Sequence, residues 1–260
     1  MIPLAKYLTK DENQANTLGA ILTAGEDKNW KVWLTFAQNF AELSEAFGKH
    51  ITDINLLQSY SNFLQDIEAE VKDAAIKSLP KFLKNISVEK ITSYLLPTIQ
   101  SLYEDASAHF KADLAGAMCE MAKFVGKEVT ISKLMPILLD LIKDEDCEVR
   151  LNCTKGLIKL ADIIGQDLLS DSILTSLTQL TKDTQWWVRQ AVFTLSADLG
   201  IKFGKEVFRD ELSSLLFAFL IDTAAEVRTS ITLKVKELAE TFGGEWAIQT
   251  VIPKLNDVFD

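Results

Sequence analysis

Hydrophobic positions along this chain follow a helical period that stops and restarts. In residues 131–143 the apolar side chains recur at intervals of three and four, which predicts a helix with one buried face. The same spacing returns from Val149 to Ile164, so this stretch predicts two helices joined by a polar turn. Gly165 follows, and glycine ends helices because it enters a left-handed conformation without steric cost.

A second, longer period of 39 residues is superimposed on the helical one. Six aspartates stand at this spacing: Asp27, Asp66, Asp105, Asp144, Asp183 and Asp222. A bulky apolar side chain stands five residues after each of them. The next position is basic in five copies: Lys72, Lys111, Arg150, Arg189 and Arg228. In the remaining copy this position holds Trp33. A fixed period of this length predicts stacked helix pairs.

The repeat predicts an all-α fold, a right-handed α-α superhelix of the HEAT-repeat type that forms one solenoid over residues 1–260. We expect partial repeats at both ends and six complete repeats, at about 11–48, 49–87, 88–126, 127–165, 166–204 and 205–243, with 244–260 starting another. Because both ends fall inside a repeat and carry no polar cap, we expect the chain to be a segment of a longer solenoid.

Each repeated position has a predicted physical role. The aspartates are expected to accept backbone amides at the start of the second helix, near its positive dipole end. The basic residue is expected to bridge to an aspartate in its own or the neighbouring copy, as an exposed pair worth about 0–1 kcal/mol. Pro97, Pro136 and Pro253 occupy one slot of the first helix, where they are expected to cause a bend.

Composition excludes several classes of function. The chain has 48% hydrophobic and 25% charged residues, which is ordinary for a globular protein. The net charge of −10 argues against a nucleic-acid partner. No apolar run approaches the roughly 18 residues of a membrane span, and no secretory signal follows Met1. The three cysteines lack CxxC spacing, so we expect reduced thiols and a cytoplasmic or nuclear location.

No catalytic constellation is visible in the sequence. The two histidines lie in different copies without nearby cysteines, so no metal site is expected. The Gly-Lys pairs lack the rest of a phosphate-binding loop, and the acidic pairs at the turns recur with the structural period. We therefore predict that the chain is not an enzyme and uses no cofactor, metal or small-molecule substrate.

The tryptophans are the most informative departures from the repeat. Trp30 and Trp186 occupy the same slot, three residues after the aspartate, where other copies hold alanine or cysteine. Trp187 stands beside the second of them. Because large aromatic side chains on a solvent-facing ridge anchor protein partners, these turns are predicted to bind proteins.

The chain resembles the scaffolding (A) subunit family of protein phosphatase 2A, and we expect the similarity to cover essentially all 260 residues. The specific matches are Glu26–Val32, Asp144–Asn152, and Phe242–Ala247 running into Ile252–Lys254. The segment is similar to the sixth to eleventh repeats of that family. The resemblance implies a non-enzymatic scaffold whose intra-repeat turns bring a Ser/Thr phosphatase catalytic subunit together with regulatory B-type subunits. It implies that Trp30 and Lys31 face the regulatory subunit, whereas Trp186 contacts the catalytic one. Trp33 and Trp187 depart from the family, which has arginine at both positions.

Another HEAT-repeat adaptor, such as a nuclear transport receptor or a divergent phosphatase-associated regulator, is the alternative. Such an adaptor would bind through the inner surface formed by the second helices. The location of the exposed aromatic side chains, on the turns or on that inner surface, discriminates the two hypotheses.

Overall fold

The computed structural model describes residues 7–24, 29–104 and 106–259, and these residues form helices and turns without any β-strand. The chain has two compact units, residues 1–134 and residues 135–260. In each unit a short, often interrupted first helix alternates with a long second helix. The predicted all-α HEAT-repeat fold is confirmed.

The second helices carry the apolar stripes that build the core. Within the described residues they are α1 (Trp30–Phe47), α2 (Ala69–Phe82), α3 (Ala108–Val129), α4 (Cys147–Ile164), α5 (Trp186–Phe203) and α6 (Ala225–Phe242). In α1, Phe36, Phe40, Leu43 and Phe47 recur at intervals of three and four and are all buried. Each such side chain contributes about 1.5–3 kcal/mol on burial, so these stripes are the main source of stability.

The first helices are shorter. In the first unit they are Lys10–Asn16, Leu18–Ala24, Lys49–Ile51, Leu57–Leu64, Val88–Lys90 and Leu96–Tyr103. In the second unit they are Met135–Leu141, Asp171–Leu180, Lys205–Val207, Ser213–Phe217, Gly244–Trp246 and Ile252–Phe259. Short 3-10 segments cover Leu83–Asn85, Gly165–Leu169 and Ala218–Ile221.

π-Helical segments interrupt most first helices at the same place. They are Thr52–Leu56, Ile91–Leu95, Thr130–Leu134, Phe208–Leu212 and Ala247–Val251. Pro97 is the second residue of the α-helix that follows one of these segments, but the copies with Gln58 and Ser214 in that slot have a π segment too. The π segment therefore forms with or without proline. The bend expected at the prolines stays a prediction.

Glycines with positive φ end four of the second helices, as expected: Gly48, Gly165, Gly204 and Gly243. Gly126 also has a positive φ of 77°, and it interrupts the helical conformation inside α3. At Gly204 φ is 97° and ψ is 168°, which is an extended conformation open essentially to glycine alone and not the left-handed helical one. Where Ser87 replaces glycine, φ is −77° and the Leu83–Asn85 3-10 turn precedes it. The serine then caps the next helix by accepting the Lys90 amide at 3.4 Å.

Aromatic side chains fill the core of each unit. In the first unit Tyr60 stacks on Phe82 with ring centroids 3.9 Å apart, and Phe40 packs against both rings. The Tyr60 hydroxyl donates to the Ala75 carbonyl at 2.6 Å, and burial raises the pKa of this phenol above its usual range. In the second unit Phe208 packs against Phe242 and other aromatic rings.

No helix in the described parts of the chain is both long and apolar enough to cross a membrane.

Candidate protein-binding site

The repeated aspartates shape the turn between the first and second helices. In the second unit Asp144, Asp183 and Asp222 each accept, through Oδ1, the backbone amide two residues later at 2.8–2.9 Å. Asp66 makes the same contact in the first unit at 2.8 Å. That amide belongs to the N-cap residue, because each second helix begins one residue further on. The aspartate therefore closes the turn and does not itself cap the helix.

In three copies the residue two positions after the aspartate caps the helix, a position that the sequence analysis missed. Glu68, Gln185 and Ala224 hold this position in other copies and make no side-chain capping hydrogen bond. Asn29, Ser107 and Asp146 accept amides of the first helical turn through their side chains, at 3.0, 3.3 and 2.8 Å. Asparagine, serine and aspartate are the preferred N-cap residues, so their presence in this slot was the available signal. Asp27 and Asp105 lie outside the described residues.

Two arginines connect successive turns in the second unit. Arg150 donates to both carboxylate oxygens of Asp183, at 2.7 and 3.1 Å, and to the Asp144 and Glu145 carbonyls at 2.8 Å. Arg189 repeats this arrangement with Asp222, at 2.6 and 2.7 Å, and donates to the Asp183 carbonyl at 2.7 Å. Each arginine thus fastens its own turn while it pairs with the next one.

These pairs are largely buried, so the expectation of exposed bridges is wrong. Only 11% of the Arg189 side chain and 5% of the Asp222 side chain are exposed, and Arg150 with Asp183 is similar at 13% and 4%. The hydrogen bonds from Arg189 lower the pKa of the Asp222 carboxyl, and those to Asp183 raise the pKa of Arg150. Two parallel N–H···O bonds to a shielded carboxylate form a strong and directional contact.

Two other turns depart from this arrangement. Arg228 is exposed and donates to the Asp222 and Thr223 carbonyls of its own turn, at 2.5 and 3.1 Å. In the first unit Trp33 takes the place of the arginine, and its indole N–H is buried without a hydrogen-bond partner. Asp66 is only 7% exposed and forms no ion pair within the described part of the chain. Replacement of arginine by tryptophan therefore leaves a shielded carboxylate without a cation.

The predicted tryptophan anchors lie at the starts of second helices. Trp30 and Trp186 are the first residues of α1 and α5 and are partly exposed. The Lys31 ammonium lies 5.9 Å from the centroid of the Trp30 ring, which is within cation–π range. The Trp186 ring meets Trp187 edge to face, with centroids 5.7 Å apart. Trp186 and Trp187 therefore form one aromatic pair.

Trp187 also lines a groove between α4 and α5, which we call the α4–α5 groove. Its lining residues come from α4 at 151, 154, 155 and 158 and from α5 at 187, 190, 191, 194, 195 and 198. Both sets follow the spacing of one helix face, so two adjacent second helices form the walls. The groove has a volume of about 200 Å³, and Leu151, Ile158 and Trp187 are among its apolar residues.

The turns between the first and second helices carry a further exposed apolar side chain that the sequence analysis missed. Ile67, directly after Asp66, is 92% exposed. The slot after the aspartate shows no hydrophobic pattern, since it holds lysine, alanine, glutamate or threonine in the other copies. A solvent-facing isoleucine in one copy of a polar slot was the signal for an additional contact position.

One group of possible metal ligands was also missed, because its members are separated in sequence. His109 Nε2 lies 3.3 Å from Asp73 Oδ2 and 3.9 Å from Asp113 Oδ2. The Lys77 ammonium approaches the same Asp113 oxygen at 3.5 Å. The helical spacing of His109 and Asp113 could be read from the sequence. The approach of Asp73 could not, because it depends on the packing of α2 against α3. The cluster holds an ion pair between Lys77 and Asp113, and His109 adds a charge to it only when it is protonated.

Comparison with known proteins places the chain near phosphatase subunits. Residues 49–126 match the family model described as PPP2R1A-like HEAT repeat. The beta isoform of the 65 kDa regulatory (A) subunit of serine/threonine-protein phosphatase 2A from Homo sapiens is 35% identical over 74 residues, which are 27% of this chain and 12% of that protein. The serine/threonine-protein phosphatase 4 regulatory subunit 1 of Homo sapiens is 33% identical over 85 residues, which are 33% of this chain and 9% of that protein.

Solved structures with the same fold include a mutant of Kap121p. It has a TM-score of 0.68 at 16% identity, and the match covers 92% of this chain and 25% of that one. The resemblance to the phosphatase 2A scaffold that the sequence motifs indicated is confirmed, over a part of the chain. The aligned stretches correspond to only about a tenth of the two relatives, at 12% and 9% of their lengths.

Proposed function

We propose that this chain is a non-enzymatic scaffold whose intra-repeat turns bring a Ser/Thr phosphatase catalytic subunit together with regulatory B-type subunits. The similarity to regulatory subunits of phosphatases 2A and 4 supports the phosphatase partner. The repeat fold and the location expected from the cysteine spacing, cytoplasm or nucleus, are compatible with this role.

The arginine–aspartate ladder is the observation that carries the proposal. Arg150 and Arg189 each join two successive turns through buried bidentate pairs. A surface that is already ordered loses little conformational entropy when a partner binds, so fixed turns are suited to recognition. Trp186 stands at the start of the helix that follows one of these fixed turns, where it offers a large and partly exposed contact area.

Binding of purified subunits to the immobilised chain tests the proposal. We expect the phosphatase 2A or phosphatase 4 catalytic subunit to bind, and Trp186→Ala to weaken that binding by tenfold or more. Trp30→Ala should instead weaken binding of a regulatory B-type subunit. Ile54→Ala is the matched control, because Ile54 is 63% exposed and lies in a first-helix π segment away from the turns.

Two results would contradict the proposal in different ways. Failure of every catalytic and regulatory subunit to bind at micromolar concentration would rule out the phosphatase scaffold. Binding that is equally strong in Trp30→Ala, Trp186→Ala and Ile54→Ala would rule out the turn tryptophans as anchors while leaving the phosphatase partner in place.

A different HEAT-repeat adaptor is the second candidate, and the position of Trp187 favours it. This residue is 37% exposed and lines the α4–α5 groove on the second-helix face, where an adaptor of this kind would hold its partner. Under this alternative, Ile158→Ser in the groove would abolish partner binding, whereas Trp30→Ala would leave it unchanged.

A further inference from the structure

We propose that Asp73, His109 and Asp113 bind a divalent transition metal of the zinc type between α2 and α3. The proposal goes beyond the scaffold function and does not depend on any protein partner. It also departs from the sequence expectation that the chain has no metal site. That expectation considered each repeat by itself, whereas Asp73 belongs to a different repeat from the other two residues.

The three side chains offer a donor set that zinc accepts and that magnesium and calcium do not. One donor is the imidazole nitrogen of His109, and the other two are carboxylate oxygens. Zinc combines nitrogen and oxygen donors, and three protein ligands leave its fourth position to a water molecule. Calcium takes about six to eight oxygen ligands, and magnesium requires octahedral oxygen coordination, so neither ion matches a site with an imidazole and two carboxylates.

The donor atoms already converge in the structure. His109 Nε2 lies 3.3 Å from Asp73 Oδ2 and 3.9 Å from Asp113 Oδ2, and all three donor atoms lie within 4.8 Å of one another. Tetrahedral zinc with bonds of about 2.0–2.2 Å places its ligand atoms about 3.3–3.6 Å apart. One pair therefore has the required separation, and the other pairs need to close by at most about 1.5 Å, which is within reach of side-chain rotation.

Two regular helices hold the ligands. His109 and Asp113 stand four residues apart on α3, so their side chains share one face of that helix. Asp73 lies on α2, in the turn before Lys77, and faces His109 across the helix contact. The arrangement therefore depends on the packing of two helices and not on the conformation of a loop.

The Asp113 Oδ2 atom gives an independent indication of cation binding. This oxygen is shielded from solvent, and it accepts no hydrogen bond within the described part of the chain. The Lys77 ammonium, at 3.5 Å, supplies an opposite charge without a hydrogen bond. A shielded carboxylate oxygen without a donor is costly, and direct coordination to a metal ion removes that cost.

Lys77 is the competitor of the metal ion. Its side chain is largely exposed, so the ammonium can move into solvent while both carboxylates stay in place. Because the metal ion and Lys77 are both attracted by Asp113, each of them weakens the binding of the other. Removal of the lysine charge should therefore strengthen metal binding, which is the opposite of what removal of a ligand should do.

A metal ion at this site would connect two successive repeats. In the second unit Arg150 and Arg189 make such connections. The equivalent positions of the first unit hold no arginine: Trp33, Lys72 and Lys111. We therefore expect the bound ion to stabilise the packing of α2 against α3.

Isothermal titration calorimetry with zinc chloride tests the proposal on the full chain after a chelator has removed bound metal. We expect zinc to bind with a micromolar or lower dissociation constant, and neither magnesium nor calcium to bind at millimolar concentration. Asp73→Asn and His109→Ala should each weaken zinc binding at least tenfold. Lys77→Met should strengthen it at least threefold, because the competing charge is gone while the aliphatic part of the side chain remains.

Matched variants separate this site from binding of zinc elsewhere on an acidic chain. His50→Ala removes the other histidine of the sequence, and Asp171→Asn removes an exposed carboxylate outside the cluster. Both should alter zinc affinity less than twofold. Zinc should also raise the melting temperature of the wild type and of His50→Ala, measured by circular dichroism, but not that of His109→Ala.

Two results would overturn the proposal. Equal zinc affinity in the wild type, Asp73→Asn and His109→Ala would show that the ion binds at another place, such as a cysteine thiol. Failure of both the wild type and Lys77→Met to bind zinc below millimolar concentration would show that the three side chains form no metal site.

Discussion

Removal of Arg189 is the perturbation that tests the ladder most sharply. The guanidinium group donates to both carboxylate oxygens of Asp222, at 2.6 and 2.7 Å, and to the Asp183 carbonyl at 2.7 Å. The Asp222 side chain is 5% exposed in the intact pair, and in Arg189→Ala the amide of Ala224 is the remaining hydrogen-bond donor to its carboxylate. The variant therefore strands a shielded charge and also releases a turn carbonyl.

The expected loss of unfolding free energy is about 3–5 kcal/mol, the usual cost when one partner of a buried ion pair is removed. Arg228→Ala is the matched control. Arg228 is exposed and donates to carbonyls of its own turn without a carboxylate partner in the described residues, so its removal should cost about 1 kcal/mol or less. The double variant Arg189→Ala/Asp222→Ala should recover part of the loss, because it removes the stranded carboxylate.

Urea unfolding followed by circular dichroism measures the free energies, and hydrogen exchange shows where the loss occurs. Because each repeat contacts its neighbours, faster exchange should concentrate at the turns around 183 and 222. A loss in Arg189→Ala no larger than that in Arg228→Ala would refute the argument that burial makes this pair strong.

Three further predictions follow from single residues. The hydrogen bonds from Arg189 lower the pKa of Asp222 below its ordinary value of 3.8. The ion pair therefore stabilises the fold fully above pH 3.8 and loses its effect as pH falls through the lowered pKa. The difference in urea midpoint between wild type and Arg189→Ala should shrink below pH 3.8. Gly204→Ala should lower the melting temperature, because φ is +97° there, while Gly116→Ala, in open space inside α3, should raise it slightly. Tyr60→Phe should cost about 0.5–1.5 kcal/mol in urea unfolding, because it removes a buried hydrogen bond to the Ala75 carbonyl, which keeps the Ser78 hydroxyl as a donor at 2.9 Å. A pH-independent difference, an unchanged Gly204→Ala or a neutral Tyr60→Phe would contradict the respective argument.

The repeat made the fold predictable, because a 39-residue period constrains every copy at once. The helix-ending glycines and the apolar stripes follow from the physical preferences of single residues, and the structure shows both. The N-cap slot was missed because Asn29, Ser107 and Asp146 share a role without sharing an identity. The π segments were missed because they form in copies with and without proline, so proline does not mark them.

The geometry of the candidate site was less accessible from sequence. The pairing of Arg150 with Asp183 spans 33 residues, and its burial depends on how two turns stack. Trp187 follows Trp186 in sequence, yet successive residues of a helix point in directions about a quarter-turn apart, so Trp187 reaches the α4–α5 groove. Placing Trp186 and Trp187 on one turn from the sequence does not show that their side chains point in different directions. The turn tryptophans and the domain boundaries remain predictions.

Hydrogen exchange of the chain with and without a saturating phosphatase 2A catalytic subunit tests the central claim most directly. The account predicts slower exchange in the turns of the second unit, at residues 183–187 and in the equivalent turns beside them, with no change in the first-helix segments. Unchanged exchange at every turn, or protection confined to the first helices, would contradict the claim that this chain holds a phosphatase through its intra-repeat turns.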